Sequence, residues 1–358
     1  MYRFGIVGTG WRSLFYLRAA SACPEMFEIA GVVTRDAQRA AALAERFGTS
    51  LYTSSEELVE RESPDFVVTS VPWDVNPEAV GKLVELNTPV LSETPPATTV
   101  EELEALWRLG SQGAKVQVAE QYWAQPHHAA RLAFARSGKI GRVSQVQVSA
   151  AHGYHGISLL RAFLGVGFEN AGITARTFTA PIVLGPNRTG PPTEEVVGDS
   201  KQTIAWLDFG DRIGVFDFAG DQYFSYIRGQ RLLVRGDRGE IIDSEARYLK
   251  DFATPIRIRF QRENAGEDGN LEGNYLKGIQ AGEDWIYRNP LGQVELTDDE
   301  IAVGTCLMKM GEYAAGGESF YSMAEACQDR YLDIAIQQAV DSGETVTTGS
   351  QAWAEPTV

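Results

Sequence analysis

The chain is poor in the residues that build metal centres and disulfide frameworks. Only three of its 358 residues are cysteine and only four are histidine. Cys23, Cys306 and Cys327 are scattered and do not have metal-ligand spacing. An odd, sparse set of cysteines is typical of a reducing compartment. We therefore expect a cytoplasmic protein with no metal site.

Positive charge and long apolar runs are also scarce. The 32 Lys and Arg residues are outnumbered by 48 Asp and Glu, the formal net charge is −16, and no basic run is present. This balance argues against nucleic acid and anionic membranes as partners. No apolar stretch of about 18 residues occurs, and the first strand pattern begins almost at residue 1. We therefore expect no membrane span and no signal peptide.

The chain does have enough apolar residues, at 44%, to fill the cores of two domains. Up to about residue 120, strand and helix patterns alternate, among them a strand over Phe27–Val33 and a helix over Ala37–Phe47. This alternation predicts βαβ units in a doubly wound parallel sheet. After that point, short helices are followed by segments typical of antiparallel strands. We predict an α/β protein with a Rossmann domain over residues 1–121. An α+β domain with a large, mostly antiparallel sheet follows over residues 122–358, and its final helix, about 322–341, packs back on the first domain.

The first strand, Phe4–Val7, runs into a glycine turn that suits a dinucleotide diphosphate. Gly8 permits a tight turn, and Gly10 lets the backbone approach phosphates at a helix N-terminus. Ser13 takes the place of a third glycine and is small enough for close packing. Because this turn lies between a first strand and a first helix, it predicts cofactor binding. A purely structural glycine turn is the alternative. The predicted contacts are Gly8, Thr9, Gly10, Trp11 and Arg12.

The end of the second strand bears on the choice of cofactor. Rossmann domains that bind NAD usually place Asp or Glu there to hold the adenosine 2′-hydroxyl. This chain has Thr34 and Arg35, followed by Asp36. A hydroxyl and a planar guanidinium can accept a 2′-phosphate instead. We therefore expect NADP as the cofactor, with NAD as the alternative if Arg35 is only a solvated charge.

The order of several short motifs resembles the glucose–fructose oxidoreductase / inositol dehydrogenase / MocA-type family. The motifs are Gly8-Thr9-Gly10, Ser70-Val71-Pro72, Ser92-Glu93-Thr94-Pro95, Ser137-Gly138-Lys139-Ile140-Gly141, Gly153-Tyr154-His155-Gly156-Ile157 and Gln328-Asp329-Arg330-Tyr331-Leu332. The resemblance implies a cofactor cleft between the two domains and a homo-oligomer, a dimer or tetramer, formed through the C-terminal sheet. It also implies cofactor contacts from Val71, Pro72, Glu93, Thr94 and Gln121.

The chain departs from that family at the residues that carry the chemistry. The family uses a Lys from a Glu-Lys-Pro motif, together with an Asp and a His four residues apart. Here the Lys position holds Thr94 and the Asp position holds Ala151, so His155 alone remains. A threonine hydroxyl is too weak a base to take an alcohol proton. Either another residue supplies the base, the substrate needs none, or the protein binds a cofactor without turnover.

All four histidines lie between residues 127 and 155, and two of them are candidates to replace the lost groups. His152 and His155 are three residues apart at a predicted helix start, so both imidazoles project from one face. Histidine is the natural acid–base group near neutral pH. Capping or packing at the domain interface is the alternative for each. Tyr154 is a further candidate proton donor, whereas His127 and His128 are interpreted as surface or interface residues.

Three other residues are candidates for contact with a substrate. Tyr122 and Trp123 follow the fifth strand, where the chain crosses between domains, and an aromatic hinge core is the alternative reading. Asn76 can form hydrogen bonds but cannot transfer a proton at neutral pH. We expect these three side chains to line the substrate end of the cleft.

The leading functional hypothesis is an NAD(P)-dependent oxidoreductase acting on a sugar, cyclitol or related polyol, with a non-standard active site. Two alternatives come from other classes. One is a glycoside lyase or hydrolase that uses a bound nicotinamide transiently. The other is a non-catalytic NAD(P)-binding sensor or regulatory protein. The partner we expect is a small molecule, besides further copies of the chain.

Overall fold

The computed structural model describes residues 1–354, except for the side chain of Arg39. Its helices are α1 Ser13–Ala22, α2 Ala37–Phe47, α3 Ser55–Glu62, α4 Asn76–Glu85, α5 Val100–Ser111, α6 Pro126–Arg136, α7 Gly153–Leu164, α8 Asp298–Ala314 and α9 Met323–Ser342. None of these helices combines the length and the apolar character needed to cross a membrane.

The first sheet has six parallel strands in the order β3-β2-β1-β4-β5-β6. They are β1 Tyr2–Val7, β2 Phe27–Val33, β3 Leu51–Tyr52, β4 Phe66–Thr69, β5 Val90–Ser92 and β6 Val116–Val118. Every residue of β4, β5 and β6 is buried, because helices cover both faces of a doubly wound sheet. The strand order reverses between β1 and β4. A crevice for a ligand therefore forms at the carboxyl ends of these two strands.

The second sheet has eleven strands in the order β16-β15-β14-β13-β12-β11-β7-β10-β9-β8-β17. They are β7 Val143–Ser149, β8 Gly172–Val183, β9 Val197–Asp208, β10 Ile213–Ala219, β11 Arg231–Gly236, β12 Gly239–Ile242, β13 Glu245–Leu249, β14 Pro255–Ala265, β15 Tyr275–Ala281, β16 Asp284–Arg288 and β17 Val346–Thr347. The β7–β10 pair is parallel and the other neighbouring pairs are antiparallel. The predicted fold class, a Rossmann sheet plus a large, mostly antiparallel sheet, is confirmed.

Strongly periodic elements were predictable, whereas one helix buried on several sides was not. The predicted strand Phe27–Val33 and helix Ala37–Phe47 coincide with β2 and α2. Helix α8 has no counterpart among the predictions, because its buried residues lie on all sides and leave no single apolar stripe. It packs on α1 and on the start of the crossover after β6.

Helix α9 links the two halves of the molecule. It lies against α5 and β6 of the first half, and against α7 and β8 of the second. The Arg161 guanidinium on α7 bonds the buried Asp329 carboxylate of α9 at 2.6 Å. The domain division at residues 121 and 122 stays a prediction.

Candidate functional site

A groove runs along the carboxyl edge of the first sheet and consists of two cavities. One has a volume of about 410 Å³ and lies beside the end of β2. The other, of about 620 Å³, lies between the glycine turn and the start of α7. Gly8, Thr9, Val71 and Pro72 line both cavities, so the two are continuous across the strand-order reversal.

The glycine turn at the middle of the groove is shaped for close approach of a ligand. Gly8 has φ +112°, and a Cβ added there would lie 2.1 Å from the carbonyl oxygen of Ser70. A Cβ on Gly10 would meet nothing within 4 Å. Ser13 ties the turn down, because its hydroxyl donates to the Gly8 carbonyl at 3.0 Å and contacts the Ser70 hydroxyl at 3.1 Å. The open space at Gly10, ahead of a helix N-terminus, fits the diphosphate of a dinucleotide.

The first cavity presents polar side chains of mixed charge. The Thr34 hydroxyl accepts from the Asp36 backbone N–H at 3.2 Å, so it shapes the turn after β2. The Arg35 side chain is exposed beside it. The remaining polar residues around this cavity are Asp36, Thr53, Ser54, Ser55, Glu78 and Lys82. Arg35 and Lys82 are basic side chains at this cavity, and Lys82 Nζ is paired with Glu56 Oε1 at 3.2 Å.

In the second cavity, Glu93 is held rigidly at the end of β5. Its carboxylate accepts from the Tyr16 hydroxyl and, at 3.0 Å, from the Thr94 backbone N–H. The Arg12 Nε lies 3.8 Å from the same carboxylate, while its Nη1 bonds Asp299 at 2.8 Å. The positive charge of Arg12 is therefore largely compensated by the Glu93 and Asp299 carboxylates.

Gln121 supports this arrangement from behind. With its amide turned so that both ends are satisfied, it accepts from Arg12 Nη2 at 2.9 Å and donates to the Ala119 carbonyl at 2.9 Å. Gln121 thus fixes Arg12 and does not line the cavity, whereas Glu93 and Thr94 do.

His155 is paired with a buried carboxylate at the inner wall of the second cavity. Its Nδ1 lies 2.6 Å from Glu120 Oε2, and Glu120 has no solvent exposure. The other ring nitrogen, Nε2, lies 3.5 Å from the Thr94 hydroxyl. Burial lowers the pKa of His155 to about 3 and raises the pKa of Glu120 well above its usual value.

His152 lies beside His155, with ring centroids 4.9 Å apart, and has a different partner. Its Nδ1 is 2.6 Å from the Tyr223 hydroxyl, which also accepts the His152 backbone N–H at 3.0 Å. Burial lowers the pKa of His152 to about 3, so this imidazole is neutral around pH 7.

The structure brings most of the predicted site residues to the groove, but not Gln121, Tyr154 or Trp123. Tyr154 is 1% exposed and its hydroxyl is buried without a hydrogen-bond partner. It packs in the core beside α9, because residues 154 and 155 point to different sides of α7. Trp123 lines a separate depression beside the end of α8.

Tyr122 and Asn76 lie near the groove but are engaged by the protein. The Tyr122 ring packs on His155, with centroids 4.5 Å apart. The Asn76 amide accepts from Thr69 at 2.6 Å and donates to the Ser92 hydroxyl at 2.9 Å and the Pro96 carbonyl at 2.8 Å. These bonds use its amide to tie the ends of β4 and β5 together. His128, interpreted from the sequence as a surface or interface residue, is completely buried within the chain.

The sequence analysis missed the partners of the two histidines. Glu120 lies two residues after β6, and a carboxylate just past the carboxyl end of a sheet strand is a signal that could have singled it out. Tyr223 lies 71 residues after His152 and has no comparable sequence signal. Arg188 was also missed; it lines the second cavity, with its guanidinium 4.4 Å from the ring centroid of Trp11.

The described part of the chain has no cluster of side chains suited to bind a metal ion. Among residues 1–354, no group of three or more His, Cys, Asp or Glu side chains is placed to hold a metal ion.

Comparison with known proteins agrees with this geometry. Residues 2–120 match the model of an oxidoreductase family with an NAD-binding Rossmann fold. The resemblance to the glucose–fructose oxidoreductase / inositol dehydrogenase / MocA-type family is thereby confirmed. The matched residues, about a third of the chain, are similar to that family's NAD-binding domain.

Curated relatives match part of the chain. The oxidoreductase ORF334 of Rhizobium meliloti is 30% identical over 149 residues, which is 41% of this chain and 45% of that protein. The putative oxidoreductase YteT of Bacillus subtilis is 27% identical over 143 residues, or 38% of this chain and 33% of that protein. The matched stretch thus spans less than half of either relative.

Solved structures match almost the whole chain. Levoglucosan dehydrogenase in complex with NADH and levoglucosan has a TM-score of 0.70 at 16% identity, covering 97% of this chain and 99% of that one. GenD2 from gentamicin A biosynthesis, in complex with NAD, has a TM-score of 0.67 at 17% identity, covering 98% and 97%. At these identities the likeness establishes the two-part fold.

Proposed function

We propose that this protein is an NAD(P)-dependent oxidoreductase that moves a hydride between nicotinamide and a secondary alcohol carbon of a sugar, cyclitol or related polyol. The observation that carries the proposal is the continuous groove, with a glycine turn at its middle and His155 at one end. The family match over residues 2–120 supports the cofactor. The fold shared with a dehydrogenase solved with NADH and levoglucosan supports a sugar-like substrate.

The residues present fit a nicotinamide dinucleotide. Gly8 and Gly10 would hold the diphosphate, Thr34 and Arg35 would face the adenosine ribose, and Glu93 would accept from the nicotinamide ribose. Bound nicotinamide supplies a hydride acceptor or donor. We propose a preference for NADP, because Arg35 and Lys82 border the adenosine end and a planar guanidinium pairs well with phosphate.

His155 is the proposed acid–base residue. Oxidation of an alcohol requires a base to take the hydroxyl proton as hydride leaves the carbon. The neutral imidazole has its Nε2 directed at Thr94 on the cavity wall. Thr94 itself can only donate or accept a hydrogen bond. Trp11 and Trp73 form an aromatic rim at this end, each 48% exposed, and fit a sugar ring that offers an apolar face.

A panel assay tests the function. The purified protein is incubated with NADP⁺ or NAD⁺ and a set of sugars, cyclitols and sugar acids, and the absorbance of reduced nicotinamide is followed. Turnover that disappears in His155→Ala supports the proposal. Tight dinucleotide binding without turnover on any polyol would favour the sensor alternative.

We also propose a homo-oligomer formed through the open face of the second sheet. Phe178 on β8 and Ile204 and Trp206 on β9 are each more than 40% exposed. They lie on one face of adjacent paired strands. Isolated large apolar side chains on a surface are ordinary, but a cluster on a flat sheet face is typical of an interface. Trp206→Glu should lower the mass measured by light scattering, while Leu271→Glu, in the loop after β14, should leave it unchanged.

A further inference from the structure

The two histidines at the cavity wall have different hydrogen-bond partners. His155 Nδ1 meets the Glu120 carboxylate, and His152 Nδ1 meets the Tyr223 hydroxyl, each at 2.6 Å. A partner at Nδ1 determines which form the other nitrogen, Nε2, presents to a ligand. The two imidazoles are therefore not interchangeable, although they are three residues apart on one turn of α7.

Tyr223 fixes the tautomer of His152. A neutral phenol has one proton to donate, and its oxygen already accepts the His152 backbone N–H. The oxygen also accepts from the Tyr122 hydroxyl at 3.4 Å. The phenol proton is therefore directed at His152 Nδ1, which lies 2.6 Å away. The imidazole proton then lies on Nε2, and Nε2 is a donor.

Glu120 provides a final acceptor for the substrate proton, which His155 alone does not. A buried imidazole with a pKa near 3 holds a proton too weakly to serve as a base at neutral pH. A carboxylate whose pKa is raised by burial can receive that proton through the ring. Glu120 is also fixed in place, because its Oε1 accepts the Tyr122 backbone N–H at 2.9 Å.

We propose that these partners give the histidines separate roles: His155 and Glu120 together take and return one proton, while Tyr223 holds His152 as a neutral donor to the reacting oxygen. This rests on the oxidoreductase function proposed above. In oxidation, the substrate O–H breaks and an N–H bond forms at His155 Nε2. In the same step the Nδ1–H proton passes to Glu120 Oε2. Hydride leaves the carbon for the bound dinucleotide, and the His152 Nε2–H stabilises the charge that develops on the oxygen.

The direction of the pH dependence follows from the raised pKa of Glu120. As pH rises through that value, the pair loses one proton and becomes competent to accept another, so alcohol oxidation accelerates with pH. Other charged or titratable groups face the two histidines and Glu120 from the surrounding elements: Arg12, Glu93, Tyr122, Tyr154, Tyr223, Asp299, Cys306, Tyr321 and Asp329. Burial has the largest effect on the His155 pKa and lowers it; Arg12 also lowers it, whereas Glu93 and Asp299 raise it.

Nitrogen-15 NMR of labelled histidine tests the assignment without substrate or cofactor. The chain has only four histidines, and single substitutions assign each signal. We expect His152 in the Nε2–H form throughout. We expect His155 to change, with rising pH, from the Nε2–H to the Nδ1–H tautomer without passing through an imidazolium. His127, paired with Asp298 at 3.5 Å outside the cavity, is the control.

Two variants test whether these hydrogen bonds determine the histidine tautomers or serve only to pack the site. Tyr223→Phe should release the tautomer of His152 and leave that of His155 unchanged. Glu120→Gln should abolish the pH-dependent change at His155 alone. An Nδ1–H tautomer at His152, or ordinary imidazolium formation at His155, in the wild-type protein would overturn the proposal even if neither variant folds. These spectra are recorded without dinucleotide. A failure to bind NADPH would therefore contradict the proposed oxidoreductase function, while the tautomers of His152 and His155 could still be determined.

Discussion

The two ends of the groove are built on different principles. The proposed adenosine end presents exposed Arg35 and Lys82 beside the buried Thr34 at the end of β2. The catalytic end is assembled from Glu93, Glu120 and the start of α7, and its charges are buried. Binding can therefore depend on local sequence, whereas the proton chemistry depends on tertiary packing. The comparison predicts that substitutions at one end leave the function of the other largely intact.

The largest expected effect is at the catalytic end. His155→Ala should lower turnover by roughly 10²–10⁴-fold, because it removes the imidazole proposed to take the substrate proton. Affinity for NADPH should stay near the wild-type value, since the glycine turn is untouched. Steady-state kinetics and a binding titration measure the two effects separately. His127→Ala is the matched control. Equal losses of turnover and NADPH affinity in His155→Ala would contradict the separation of the two ends of the groove.

Substitutions in the glycine turn test the cofactor-binding part of the same comparison. Gly10→Ala should leave thermal stability unchanged, because a Cβ there meets no protein atom within 4 Å, and should weaken dinucleotide binding by about tenfold or more, or about 1.4 kcal/mol. Gly8→Ala should instead destabilise the fold by roughly 1–3 kcal/mol, since it forces a Cβ onto the Ser70 carbonyl at positive φ. Thermal unfolding and a fluorescence titration on both variants separate the outcomes. A Gly10→Ala protein that binds NADPH normally would place the diphosphate elsewhere.

A smaller effect is expected at the adenosine end. Arg35→Ala should reduce NADPH affinity by about tenfold, through loss of one charge-assisted pair with the 2′-phosphate, and leave NADH affinity unchanged. The ratio of the two dissociation constants is the measurement. Lys82→Ala, at the same cavity, shows whether a second cation contributes. A ratio unaffected by Arg35→Ala would favour NAD as the natural cofactor.

The same contrast explains what could be predicted from sequence. The glycine turn and β2 follow from local patterns, because backbone geometry and apolar periodicity determine them directly. Glu120 and Tyr223 do not, because their roles arise only when strands and loops far apart in sequence are packed around α7. Tyr154 illustrates the opposite error. It neighbours His155 in sequence, yet helical geometry turns its ring into the core.

Helix α8 gives a further example. Asp299 in its first turn pairs with Arg12 across the crevice, and Cys306 lies 3.9 Å from the Glu120 carbonyl. A helix buried on several sides has no amphipathic stripe. The sequence of α8 therefore gave no clear hydrophobic periodicity from which the helix could be predicted. The environment of Arg12 and Glu120 could therefore not be derived before the fold was known.

The most direct test of the account is a titration of the protein, freed of co-purified nucleotide, with NADPH and with NADH. Trp11 and Trp73 line the groove, so intrinsic tryptophan fluorescence reports occupancy. We predict saturable binding, tighter for NADPH, that persists in His155→Ala and is weakened in Gly10→Ala. Absence of binding by either nucleotide to the folded protein would contradict the account.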